Sequence, residues 1–244
     1  MQPWQQGKVI AIEQAAPATK RFFIEVDDVF NFEPGQFVTL DLPIHEQKNK
    51  RWRSYSIASS PNNSKIFELV IVWLEGGAGT TYLFNEVTVG TILNLRGPQG
   101  KFVLPQQIDK DLFLICTGTG VAPFRSMVNF LHQNALPTKN IYLVFGCRTL
   151  NDCLYKNELL DLQNAMPNFF YNPCFSREEA VEPWANKGYV HSVYESIVEK
   201  NKTNETLKPA TFFLCGWKNM IDEAKQRIQQ LGYDKHDIHL ELYG

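Results

Sequence analysis

A chain of 244 residues with 44 % hydrophobic residues can build one large core or two ordinary ones, which excludes disorder as the default state. A net charge of −2 and a pI near 6.2 give no global field for nucleic acid. The longest tight apolar run, LFLIC at 112–116, is far too short to cross a bilayer, and the start MQPWQQGKVIA lacks the basic-then-apolar order of a leader. The expectation is a cytoplasmic protein with no membrane or nucleic-acid partner.

In chain order, the first hundred residues read as six short strands: KVIAIEQ, KRFFIEV, QFVTLDL, RSYSIAS, KIFELVIVW and TILNLRG. β-Branched and aromatic residues fill them, and turn signals such as Glu33-Pro34-Gly35 and Pro61-Asn62-Asn63 separate them. One helical segment, residues 80–87, interrupts the series. Six strands at this spacing predict an antiparallel barrel. After GPQGKFVLP the rhythm changes. Apolar strands LFLICT, IYLVFG, FFYNPCF and TFFLCG alternate with helical patterns starting near Ala122, Tyr155, His191 and Lys218. That alternation predicts βαβ units around a parallel sheet covered on both faces. The fold class expected is therefore two-domain, β followed by α/β: an antiparallel β-barrel over 1–106, then a Rossmann-like parallel-sheet domain over 107–244. The polar stretch 199–208 reads as a surface loop, and the run DIHL near the C-terminus as a final strand.

The five cysteines, at 116, 147, 153, 174 and 215, form no CxxC pair and no iron–sulfur spacing. Their odd number suits a reducing compartment, and each reads first as a small buried hydrophobe. The five histidines have no metal spacing, so no metal site is expected.

Three segments carry chemistry. In RSYS, strand alternation puts Arg53 and Tyr55 on one face about 7 Å apart, with Ser54 and Ser56 on the other. Such a face suits a flat ligand with an anionic tail. In EGGAGTT, Gly76, Gly77 and Gly79 lead into the single helix of the first half, and Thr80 and Thr81 add hydroxyls to a second anion-type site; alternatively this is a hairpin loop capped by Thr80. In CTGTGVAPF, Thr117, Gly118, Thr119, Gly120 and Val121 close an apolar strand and open a helix. Glycines there permit a tight turn and close approach of phosphate to helix N–H groups. Pro123 stands where the usual dinucleotide fingerprint has its third glycine.

Cofactor preference is legible at the next two strand ends. An NAD site usually offers a carboxylate after the second strand, but here that strand ends with Arg148. The third ends with Ser176 and Arg177, and Lys187 follows. Hydroxyl and guanidinium groups suit a 2′-phosphate, hence NADP(H); the bland alternative is a set of solvated surface charges. Lys48, Lys50 and Arg51, beside RSYS, form either a basic patch for an acidic partner or a solvated loop.

Taken in order, PGQF at 34–37, RSYS at 53–56, GAGT at 77–80, GPQGKF at 97–102, GTGVAP at 118–123, CG at 215–216 and ELY at 241–243 make the chain resemble the ferredoxin–NADP reductase family across nearly its whole length. The resemblance implies a FAD-binding barrel followed by an NADP-binding domain. It implies that Arg53 pairs with the FAD diphosphate, held also by Gly77, Gly79, Thr80 and Thr81. Tyr55 would lie against the isoalloxazine, with Ser56 beside N5. Val70, Ile71 and Val72 would pass the flavin mainly through backbone. Cys215 and Glu241 would stand near the nicotinamide, with Gly216 and Trp217 alongside. Tyr243 would cover the second flavin face, with Gly244 extending beyond it. Ser56, Cys215, Glu241 and Tyr243 are the implied catalytic set. The implied reaction is hydride transfer between NADPH and flavin N5, with single electrons exchanged with ferredoxin or flavodoxin. Alternatives on the same fold are an NAD(P)H:flavin reductase and an oxygenase reductase component; a non-catalytic nucleotide sensor is a third.

Overall fold

The computed structural model describes residues 3–243. By packing, the chain divides into two compact units: one runs to Leu104 and includes Ala122–Phe130, and the other comprises Pro105–Val121 and the chain from Leu131 onward.

The first unit contains β1 (Trp4–Ala16), β2 (Thr19–Val26), β3 (Phe37–Asp41), β4 (Trp52–Ser56), β5 (Ile66–Val72), α1 (Ala78–Asn85) and β6 (Ile92–Gln99). The strands pair antiparallel in the order β4-β3-β6-β1-β2-β5. An antiparallel bridge from Ile57, just past β4, to Leu69 of β5 joins the two ends of that order and closes the barrel. Alternate residues point inward, so Val9, Ile24, Val38, Leu40, Phe67, Leu69 and Leu95 form one buried core. Phe30 stacks on Phe67 with ring centroids 4.5 Å apart. Beyond Leu69 no described strand pairs with the outer side of β5, which leaves the backbone of Val70–Val72 as an open edge.

One residue of β5 breaks the apolar run. Glu68 is 3 % exposed, and two guanidiniums compensate its charge. Arg21 Nε and Nη2 donate to its two carboxylate oxygens at 2.7 and 3.0 Å, and Arg125 Nη1 donates at 2.8 Å. Arg125 also donates to the Ala58 carbonyl at 2.9 Å, and Ser126 Oγ to that of Ser59 at 2.7 Å. Residues 122–130 are thereby fastened to the segment that follows β4.

The second unit alternates strand and helix: β7 (Asp111–Thr117), α2 (Val121–Gln133), β8 (Ile141–Cys147), α3 (Lys156–Ala165), β9 (Phe169–Phe175), β10 (Asn186–Lys187), α4 (Val190–Lys200), β11 (Ala210–Trp217), α5 (Lys218–Gln230) and β12 (Ile238–Tyr243). All pairs are parallel, in the order β10-β9-β8-β7-β11-β12. The first six residues of β7 and of β8 are all buried, as a doubly covered sheet requires. Strand order reverses between β7 and β11, so ligand is expected outside the carboxyl ends of these two strands.

Two details depart from the sequence-based expectation. The polar stretch 199–208 begins as the end of α4, then makes a two-residue turn at Asn204 and Glu205 (φ +48° and +63°) closed by mutual backbone bonds of Thr203 and Thr206. β10 has only two residues, too few to leave a periodic signal. No described helix is long and apolar enough to cross a membrane.

Candidate active site

In the first unit, β4 delivers Arg53, Ser54, Tyr55 and Ser56. Arg53 Nη1 donates to the carbonyls of Lys50 and Trp52 at 3.0 and 2.8 Å, which orients its side chain. The chain of Arg53 runs directly across Gly79 in the first turn of α1: a Cβ there would lie 2.9 Å from Arg53 Cγ and 3.1 Å from Nε. Only glycine lets the guanidinium and the helix start share this space. The first N–H groups of α1 have no partner within the helix, so a cation and helix N–H donors converge.

Thr81 is exposed at that turn, whereas the Thr80 hydroxyl is engaged in its own loop. It accepts from Leu74 N at 3.1 Å and lies 3.2 and 3.1 Å from the carbonyls of Leu74 and Gly77. Thr80 therefore shapes the loop through its side chain. Tyr55 packs against the barrel core, and burial pushes its phenol up to about 12 against the lowering influence of Arg53. Ser54 Oγ lies 3.1 Å from Thr39 Oγ1, on the outer face, while Ser56 is buried. The neighbouring cations divide. Arg51 pairs with Asp41 at 2.8 Å, leaving Lys48 and Lys50 as the exposed charges of a short 3-10 turn. Beside them the Arg96 guanidinium lies 4.9 and 5.0 Å from the ring centres of Trp4 and Trp52, a cluster hidden from sequence reasoning because its members lie far apart in the chain.

In the second unit, Thr117 ends β7 and Gly118 turns at φ +54°, with nothing within 4 Å of where its Cβ would stand. Gly120 is the opposite case: a Cβ would come 2.4 Å from the Cys215 carbonyl oxygen. The helix start is thus drawn against the end of β11. Gly120→Ala is expected to lower stability by about 1–3 kcal/mol through overpacking, measurable by denaturant unfolding. The Thr117 hydroxyl is buried without a hydrogen-bond partner, an orphaned donor at the mouth of the turn.

β11 and β12 run parallel with Cys215 opposite Glu241 and Trp217 opposite Tyr243. Burial holds the Cys215 thiol well above its ordinary range; the Glu241 charge raises it further, and a hydrogen bond with Tyr243 opposes. These three residues are therefore mutual neighbours. Trp217 occupies the cap position of α5 without a capping side-chain bond and is 49 % exposed.

The three residues expected at a 2′-phosphate lie together. Ser176 N and Oγ donate to the Cys147 carbonyl at 3.1 and 3.3 Å, and Arg177 N donates to the Arg148 carbonyl at 2.8 Å. Arg148 and Arg177 are exposed, and Lys187, one step along β10, pairs with Phe175. The cluster is cationic and carries a hydroxyl. Among the described residues no group of three or more His, Cys, Asp or Glu could hold a metal.

Both nucleotides fit these residues. The glycine turn under Arg53 has the cation and open helix start that a diphosphate needs, and the unpartnered Thr117 hydroxyl beside an open Gly118 could donate to a second. Comparisons with known proteins agree in kind. A model of the oxidoreductase FAD-binding domain matches residues 6–104, and a model of the oxidoreductase NAD-binding domain matches 114–226. The chain is 31 % identical over 240 residues to the phenol hydroxylase P5 protein of Acinetobacter pittii, covering 98 % of this chain and 65 % of that protein. It is 29 % identical over 242 residues to ferredoxin–NADP reductase B of Sorangium cellulosum, covering 98 % and 97 %. A ferredoxin NADP+ reductase from Neisseria gonorrhoeae, solved with FAD and NADP, shares the fold at a TM-score of 0.81 with 23 % identity, covering 98 % of each chain.

Proposed function

The chain belongs to the oxidoreductase family that joins a FAD-binding and an NAD-binding domain and includes the ferredoxin–NADP reductases, and from that premise we propose that it passes hydride between NADPH and FAD and single electrons to a protein acceptor. The observation that carries this reading is the placing of Arg53 across Gly79 at the start of α1, which supports a diphosphate there with Tyr55 two residues along β4. Residues 1–106 would hold FAD and 107–244 NADP(H).

When bound, FAD converts a two-electron hydride into two one-electron transfers. The protein supplies position and field. Arg53 and the Gly77–Thr81 turn bind the diphosphate. Tyr55 presents a ring whose phenol stays protonated, because burial holds it near 12. Ser56 offers a buried hydroxyl to the flavin ring, and the open edge of Val70–Val72 offers backbone groups. In the second unit Thr117–Val121 bind the nucleotide diphosphate, and Arg148, Ser176 and Arg177 bind the 2′-phosphate. Cys215 remains a thiol at neutral pH, so it serves as a neutral neighbour of the nicotinamide rather than as a nucleophile. Gly216 and Trp217 bound the same pocket, with Glu241 and Tyr243 beside them.

The acceptor is a ferredoxin, a flavodoxin or an oxygenase component. Lys48 and Lys50 support an acidic partner. The oxygenase reading has its own support in the phenol hydroxylase relatives, although this chain spans only 65 % of their length. Free cysteines at all five positions support a cytoplasmic setting. The test is anaerobic mixing of purified protein with NADPH or NADH, following loss of flavin absorbance. NADPH is expected to act at lower concentration, and Arg148→Ala to raise its KM about tenfold or more, the worth of one charge-assisted contact. NADH acting at lower concentration than NADPH would reverse the 2′-phosphate assignment. Purification without stoichiometric FAD would favour a free-flavin reductase.

A further inference from the structure

Side chains alternate along β5. Phe67, Leu69 and Ile71 face the barrel core, so Glu68, Val70 and Val72 share the outer face. Glu68 and Val70 are nevertheless buried. Arg125, in the part of α2 that packs with the first unit, donates to Glu68 Oε2 at 2.8 Å. The backbone of Glu68 is tied to the segment after β4 as well. Its carbonyl accepts from Ala58 N at 2.8 Å, and its N–H donates to Ser59 Oγ at 3.1 Å. The carboxylate is therefore fixed in place. Val70 and Val72 stand two and four residues beyond it, about 7 and 13 Å along the strand.

The two cations on Glu68 are not equivalent. Arg21 is shared with the exposed Glu13, whereas Arg125 is the more buried of the two. We propose that the Glu68–Arg125 pair sets the reduction potential of bound FAD through its field, with Arg125 offsetting a buried carboxylate that would otherwise hold the flavin in its oxidised form. The inference rests on the reading that assigns the Val70–Val72 edge to the flavin ring. Reduction by hydride adds one negative charge to that ring. A fixed negative charge nearby opposes the gain, and a fixed positive charge favours it. A unit charge about 10 Å away, at an effective dielectric of ~20, changes such an equilibrium by about tenfold. Salt screens a buried pair of this kind much less than an exposed one.

The test is anaerobic redox titration of the FAD-loaded full-length protein against a reference dye, which needs no NADPH. Arg125→Met is expected to shift the equilibrium about tenfold toward the oxidised flavin, a fall of about 30 mV for a two-electron couple. Glu68→Gln is expected to shift it by about the same factor the other way, and the double variant to return it close to the parent value. Arg125→Lys keeps the charge and should stay with the parent. Opposite signs mark an effect of charge, because loosened packing would move both single variants in one direction. A shift of the same sign in both, or no shift in one of them, overturns the proposal. Should Arg125→Met fail to fold, Glu68→Gln carries the test alone, and any result but a rise in potential overturns it. The FAD reading fails separately, as a parent protein that takes up no FAD. This inference fails with FAD bound and its potential unmoved.

Discussion

Replacing Glu68 by alanine is expected to destabilise the protein by about 3–5 kcal/mol, because removing one member of a buried charge network leaves its partners uncompensated. Glu68 lies on β5 with its side chain 4 % exposed, facing the Arg21 and Arg125 guanidiniums, whose side chains are 26 % and 13 % exposed. Arg21 keeps a second partner in Glu13 at 2.7 Å, so its charge is not stranded. Arg125 also donates to the Ala58 carbonyl, and its side chain is the more buried of the two, 13 % exposed against 26 %, so the loss is expected to fall mainly on residues 122–130. For a chain of this size the loss corresponds to a fall in Tm of roughly 6–20 °C. Scanning calorimetry of the FAD-loaded protein reads it directly. Glu68→Gln keeps the shape and removes the charge. If it were as stable as the parent, the network would be held by packing rather than by ion pairing.

Arg53→Ala is expected to weaken FAD binding by about 10- to 150-fold, the equivalent of the roughly 1.5–3 kcal/mol carried by a hydrogen bond to a charged group. The side chain is already oriented by the carbonyls of Lys50 and Trp52, so little ordering cost is recovered when it is deleted. Arg53→Lys should fall between, since a lysine keeps the charge but loses the planar fork. The measurement is FAD content after gel filtration, backed by fluorescence titration of the stripped protein. Retention of stoichiometric FAD by Arg53→Ala would take the residue out of the diphosphate site. Because Gly79 accommodates Arg53, Gly79→Ala should produce a similar loss without touching a charge.

The strands and helices of both halves were legible because their patterns are strong. Apolar runs such as LFLIC and IYLVF leave no doubt about a covered parallel sheet, and alternation in β1 and β2 marks a half-buried barrel. The glycine-rich segments do stand at helix starts, as their sequence predicts, because glycines at strand–helix turns have few other uses. What escaped was contact between residues distant in the chain or separated by a folded loop. Nothing in FELVIV marks Glu68 as the centre of a charge network, since its partners lie 47 and 57 residues away. Thr80 reads as an anion ligand, yet its hydroxyl is consumed by the carbonyls of its own loop. Arg51 reads as part of a basic patch, yet Asp41 holds it. In each case the residue type was informative and the partner was not.

The grouping of Ala122–Phe130 with the earlier part of the chain bears on how the protein is made. During synthesis the barrel strands emerge first, with Glu68 at the heart of β5, but its second cation is added only at residue 125. A nascent chain stopped at Leu104 holds a half-neutralised carboxylate and lacks the segment that fastens Ala58 and Ser59. The first half of this polypeptide therefore cannot finish folding on the ribosome until translation has passed well into the second.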